Sequence, residues 1–277
     1  MTEMPFAGVV GAQSHFVSAG GNRIHYVTVG GGNHTLVFVH GWACHLGFWR
    51  EQVAALADKA RLIFIDLPGH GQSDKPQMTY TMDFFAEAVL AVMRGAKVEK
   101  AVLVGHSMGG AVICRVWHQA PEKVAALVSV DGLLCRLAGT PAEGRALVGP
   151  FATPQYRAHA AGFIRSLFPF PGAEKLCEQV TSEMLKTPQQ VMLGGMLAML
   201  DPDQPDWKLQ QVNAPVLVIN ARSVWWNADY ENYVRSLSPQ TDYQVMEGVS
   251  HFLMLEQPAE FNVQLVERLR NFDLIRK

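Results

Sequence analysis

Val102-Leu103-Val104-Gly105-His106-Ser107-Met108-Gly109-Gly110 is the stretch whose reading decides the fold. Ala101 to Val104 are apolar or β-branched and predict a buried strand, while Ala111 to Gln119 has the spacing of a helix. Gly105 to Gly109 must then turn the chain sharply between them, which makes this G-x-S-x-G a nucleophile elbow. A serine at such a turn sits at a strained backbone angle with its hydroxyl above the end of the sheet. Gly105 and Gly109 flank Ser107 because side chains there would strike the neighbouring strand and helix. The N–H of Met108 falls at the helix start, where unpaired amides face developing negative charge. A glycine-rich turn that only packs would show the same string, so the flanking elements and downstream partners decide.

Those flanks alternate strand with helix. Upstream, Ser14 to Val17 and Asn22 to Val29 predict a hairpin turned at Gly20-Gly21. Thr35 to Val39 predicts a buried strand ending in His40-Gly41-Trp42-Ala43, followed by a helix over Trp49 to Ala57. Leu62 to Asp66 is the next strand, leading into Leu67-Pro68-Gly69-His70-Gly71-Gln72-Ser73-Asp74, and Thr81 to Met93 has helical spacing. Downstream, Ala126 to Val130 predicts a strand closed by Asp131, and Pro215 to Asn220 and Tyr243 to Met246 predict two more. Helices are expected over Asp229 to Leu237 and Pro258 to Phe272. The alternation predicts an α/β fold with a mostly parallel, doubly wound sheet. Ligands bind such sheets beyond the carboxyl ends of the strands, where His40, Asp66, Ser107 and Asp131 all fall.

From Leu133 to Trp207 the strand pattern stops, and prolines punctuate a helical stretch rich in Phe, Met and Leu. Val191, Met192, Met196, Met199 and Leu200 recur at helical spacing, which plain helix–helix packing would also produce. The block predicts a helical cap over 133–207, inserted into a core domain made of 1–132 and 208–277. Methionine-rich walls suit irregular apolar ligands, so the cap is read as a lid over an apolar pocket.

Composition narrows the partners. A length of 277 residues suits one large α/β domain with an insertion, and 49% hydrophobic against 17% charged residues suits a well-buried core. A net charge of −2 gives nothing to draw the chain to nucleic acid or anionic lipid. No apolar run approaches the roughly 18 residues of a membrane span, and Met1 to Val17 lacks the basic-then-apolar order of a signal peptide. Cys44, Cys114, Cys135 and Cys177 form no C-x-x-C and no metal-ligand grouping. They predict free thiols in a reducing cytoplasm. The expectation is a cytoplasmic protein with a small-molecule substrate and neither metal nor cofactor, its oligomeric state open.

A serine hydroxyl needs a neighbouring base at neutral pH. Among ten histidines, His251 lies after the last strand and ahead of the C-terminal helix, the base position in a serine–acid–histidine order. His45, His70, His118 and His159 read as surface or packing histidines. Together, Val39-His40-Gly41-Trp42, Asp66-Leu67-Pro68-Gly69-His70-Gly71-Gln72-Ser73, Gly105-His106-Ser107-Met108-Gly109-Gly110 and Gly248-Val249-Ser250-His251-Phe252 resemble the α/β-hydrolase fold superfamily over nearly the whole chain. The resemblance implies Ser107 as nucleophile, His251 as base and the N–H groups of Trp42 and Met108 as oxyanion hole. The acid departs from the common pattern, because the turn Ala221-Arg222-Ser223-Val224-Trp225-Trp226 holds no carboxylate. Asp131, closing the strand after the elbow helix, is favoured over Asp229, whose ordinary role is a helix-start charge. Asp66 and Asp74 are expected to brace their loop. His40, His106, Trp225, Met192 and Met196 are the candidate pocket residues, with Trp42 and Trp226 also considered. His40 and His106 read foremost as structural hydrogen-bonders.

The resemblance implies a carboxylic-ester hydrolase working through an acyl-enzyme. On the same fold, cofactor-free dioxygenases of 3-hydroxy-4-quinolones place the acid after the corresponding strand, and lactonases and carbon–carbon bond hydrolases share the motifs. A small-molecule receptor with vestigial turnover is the reading from another class.

Overall fold

The computed structural model describes residues 6, 8–136, 141–200 and 206–276. Its strands are β1 (Gln13–Ala19), β2 (Asn22–Gly30), β3 (Thr35–Val39), β4 (Arg61–Ile65), β5 (Ala101–His106), β6 (Val124–Val130), β7 (Val216–Ala221) and β8 (Thr241–Met246). They form one sheet in the order β1-β2-β4-β3-β5-β6-β7-β8. β1 with β2 and β2 with β4 pair antiparallel, and every later pair is parallel. Parallel strands covered on both faces read as unbroken apolar runs: all six residues of β5 and of β7 are buried. β1, at the edge, keeps most of its residues at least partly exposed.

Between the strands run α1 (Val53–Leu56), α2 (Met82–Gly95) and α3 (Met108–Gln119). The helices α4 (Pro141–Val148), α5 (Tyr156–Ser166), α6 (Glu174–Met184) and α7 (Gln189–Leu200) all fall between β6 and β7. They fall within the stretch 133–207, of which residues 137–140 and 201–205 lie outside the described residues. The chain closes with α8 (Ala228–Ser236), α9 (Leu253–Glu256) and α10 (Pro258–Asn271). Among the described residues, no helix is long and apolar enough to cross a membrane.

Two local expectations change. The turn between β5 and α3 is one residue, Ser107, rather than the five from Gly105 to Gly109. Gly109 and Gly110 belong to the helix, and packing there leaves no room for a side chain: a Cβ on Gly109 would stand 2.3 Å from the Val39 carbonyl oxygen. The helix expected over Trp49 to Ala57 starts earlier, as a 3-10 turn over Leu46–Gln52 that passes into α1. Asp66 Oδ1 accepts from the Leu46 N–H (2.9 Å) and His45 Nδ1 from the Gly47 N–H (3.1 Å), so polar side chains fix that start.

Candidate active site

Ser107 is the hinge between a strand and a helix, and its backbone pays for that position with φ 53° and ψ −120°. A non-glycine residue at positive φ costs of order 1–3 kcal/mol and persists only where its surroundings impose it. They do so here: a Cβ on Gly105 would stand 2.3 Å from the Gly109 carbonyl oxygen, so strand and helix cross at near contact. The Gly41–Trp42 turn, at the end of β3, presses against the same point, since a Cβ on Gly41 would lie 3.0 Å from Ser107 Cβ. The N–H of Met108 opens α3, where a helix has no acceptor of its own to offer.

His251 follows β8, and its Nδ1–H donates to Asp131 Oδ2 at 2.5 Å. Asp131 closes β6 and is itself strained, at φ 42°. Its other oxygen, Oδ1, accepts from the Ala221 N–H (2.8 Å) and from Trp226 Nε1–H (2.6 Å). Three donors meet this one carboxylate and hold it at one angle. Of the two candidate aspartates, Asp131 touches the histidine, whereas Asp229 is exposed in the first turn of α8. Glu256 orders the loop ahead of His251 by accepting from both the N–H and the hydroxyl of Ser250.

The histidines expected in the pocket wall are braces. His40 is 1% exposed; its Nδ1–H donates to the Gly41 carbonyl (2.8 Å) and its Nε2 accepts from the Leu67 N–H (3.0 Å). Burial pushes its imidazole down to about 4, so it stays neutral and ties the end of β3 to the end of β4. His106, also 1% exposed, donates from Nε2 to the His251 carbonyl (2.9 Å), and the two rings lie 4.7 Å apart. Burial, then the neighbouring His251, push its imidazole down as well. It fastens the residue before Ser107 to His251.

The helices after β6 reach this site. Trp42 Nε1–H donates to the Met192 carbonyl (2.7 Å), and its ring meets Phe151 and Phe163 edge-on. A Cβ on Gly195 would lie 2.8 Å from Trp42 Cδ1, so α7 rests directly on the Gly41–Trp42 turn. Met192 and Met196 are buried in that layer. The His251 N–H donates to the Leu167 carbonyl just past α5 (3.2 Å), and Phe168 stacks on Phe252. Trp225, expected to line the pocket, is 58% exposed, and its neighbour Trp226 turns inward instead. The adjacent tryptophans carry no sequence signal for which one faces in. The Trp226 donor to Asp131 is thus the contact that sequence reasoning missed.

Comparison with known proteins agrees with this architecture. A family model described as alpha/beta hydrolase fold matches residues 34–258. The chain is 32% identical over 251 residues to the dihydrolipoyllysine-residue acetyltransferase component of an acetoin cleaving system from Pseudomonas putida. That match takes in 86% of this chain and 64% of the relative, so the chain spans less than two thirds of that protein's length. A solved thermophilic esterase superposes with a TM-score of 0.74 at 26% identity, over 94% of this chain and 98% of its own. A thermophilic esterase from Thermogutta terrifontis gives a TM-score of 0.82 at 21% identity, over 94% of this chain and 99% of its own. The chain belongs to the α/β hydrolase family.

Proposed function

We propose that this member of the α/β hydrolase family is a serine hydrolase that cleaves carboxylic esters of apolar acids through an acyl-enzyme. The observation that carries the reading is the 2.5 Å bond from His251 to a three-donor Asp131, on the same sheet edge as the strained Ser107. With Nδ1–H committed to Asp131, the neutral imidazole keeps its lone pair on Nε2. That lone pair takes the Ser107 proton as Oγ attacks the ester carbonyl. The tetrahedral oxyanion is met by the N–H groups of Trp42 and Met108, each such donor contributing about 3–4 kcal/mol. Collapse expels the alcohol, protonated by His251, and water then releases the acid by the same steps in reverse order. Met192 and Met196 on α7 line the acyl pocket, and the helices after β6 act as its cap.

The thermophilic esterase at 26% identity supports ester hydrolysis in particular. Hydrolysis of p-nitrophenyl esters from acetate to octanoate, with stoichiometric labelling of Ser107 by a fluorophosphonate, is the expected result. A pure, folded protein inert toward the whole series would overturn the reading.

The position of Asp131 after β6 favours one second reading. A His251–Asp131 pair can deprotonate a 3-hydroxy-4-quinolone, whose anion then reacts with O₂, and Ser107 is not a nucleophile in that scheme. Oxygen uptake with such a substrate that survives Ser107→Ala selects this reading, and uptake that is absent removes it.

A further inference from the structure

A second serine in the chain is wired to a histidine and an aspartate. Ser14 Oγ–H, on the edge strand β1, donates to His25 Nε2 at 2.9 Å, and His25 Nδ1–H donates to Asp66 Oδ2 at 2.7 Å. The proton positions follow from Asp66. Its Oδ1 already accepts from the Leu46 N–H and its Oδ2 from the Gln72 N–H. Burial alone would raise this carboxyl, but the donors from His25, Gln72 and Leu46 hold it below its usual range. It is a carboxylate, so Nδ1 of His25 carries the proton, and in the neutral imidazole Nε2 is then the acceptor facing Ser14. His25 is fully buried while Ser14 is exposed, so a hydroxyl open to solvent backs onto a fixed base.

Strand periodicity sets Phe16 on the same face as Ser14. Its ring is 44% exposed, lies 5.0 Å from the His25 ring and carries the Arg23 guanidinium 4.3 Å from its centroid. An aromatic leaving group has a surface to rest on beside the hydroxyl.

We propose that Ser14 is a second acyl-accepting serine, one that captures a single acyl group from small aryl esters. Ser14 Oγ attacks the carbonyl carbon; the Oγ–acyl bond forms as the bond from acyl to aryl oxygen breaks. The proton leaves Oγ for His25 Nε2 and passes to the departing aryloxide, giving acyl-Ser14 and a phenol.

The test uses full-length Ser107→Ala protein incubated with p-nitrophenyl acetate and mapped by peptide mass spectrometry. Ser18 is the internal control, since it is exposed in the same strand and pairs across to Arg23 instead of a histidine. General-base assistance is typically worth about 10²-fold or more, so acetyl on Ser14 should build up about 10² times faster than on Ser18. Ser14→Ala should remove that label. Equal rates at the two serines, or no acetyl on Ser14, overturns the proposal, and neither outcome depends on a variant of the buried pair.

Discussion

His251 and Asp131 meet where β8 and β6 run out, on strained backbone and under the helices that follow β6. His25 and Asp66 meet at the antiparallel edge of the same sheet, His25 within β2 and Asp66 one residue past β4. The side chains of the first pair are 17% and 5% exposed and those of the second 0% and 3%. Both aspartates accept two further donors besides a histidine. The hydrogen-bond pattern therefore does not separate the pair proposed for ester hydrolysis from the pair behind Ser14. What separates them is the position of the serine. Ser107 stands at the mouth of a helix, with φ 53°, beside the backbone turn at Gly41–Trp42. Ser14 sits on a flat strand facing solvent, with a base behind it.

The comparison breaks most directly at Ser107. Ser107→Ala should lower kcat for ester hydrolysis by about 10⁶-fold, the loss typical of removing a triad nucleophile. Ser14→Ala should leave that rate unchanged. Next is the acid: Asp131→Asn should lower kcat by about 10⁴-fold, because the amide presents the wrong partner to Nδ1–H and turns the imidazole to the unproductive tautomer. Asp229→Asn is the matched control and should have no effect. Steady-state rates on one p-nitrophenyl ester measure all four, and an Asp229→Asn loss with Asp131→Asn intact would reverse the assignment.

The His25–Asp66 pair should also show itself in stability. Asp66→Ala leaves two buried donors, from His25 and Leu46, and the part-buried Gln72 N–H without an acceptor. Each orphaned donor costs about 1–3 kcal/mol, so urea titration should show the largest destabilisation of any variant here. Acid should then act through the buried braces. Burial holds His40 down at about 4, and burial with the nearby His40 holds His70 at about 3. The unfolded chain binds protons at both before the folded chain does, so their contribution is complete above pH about 6.5 and is lost as pH falls toward 4. The slope is about 1.4 kcal/mol per pH unit for each histidine within that window. Denaturation midpoints that stay flat from pH 7 to 4 would show that these imidazoles are not buried neutral.

Much of this was legible in the chain itself, and the parts that were not share a cause. β3 matches its expected bounds, Thr35–Val39, because both ends are marked: a turn before and the His40-Gly41 break after. The elbow was legible because glycines flank a single residue that must bend. That Gly109 and Gly110 belong to the helix was less so, since glycines weaken a helix by propensity, and here they sit where Val39 and Leu133 leave no room for a side chain. Asp131 was legible as a carboxylate at a strand end. Its third donor was not, because Trp225 and Trp226 are chemically identical and only the packing of Trp226 on Tyr230, at 4.6 Å, turns one inward.

That inward tryptophan gives the smallest expected effect and the finest test of what sets the reacting pair apart. Trp226→Phe keeps an aromatic ring against Tyr230 and deletes only the N–H to Asp131 Oδ1, leaving the Ala221 amide in place. A hydrogen bond to a charged group is worth about 1.5–3 kcal/mol net, but the carboxylate is partly compensated by its other donors. The expected loss is about tenfold in kcat, or about 1.4 kcal/mol. KM should hold, because Trp226 acts on Asp131 and not on substrate. If the indole works only by holding the carboxylate, adding Trp226→Phe to Asp131→Asn should cost nothing more. Full additivity in that double mutant, or a change confined to KM, would mean that Trp226 contacts the substrate, and the contrast between the two aspartates would then rest on Ser107 and the strained backbone alone.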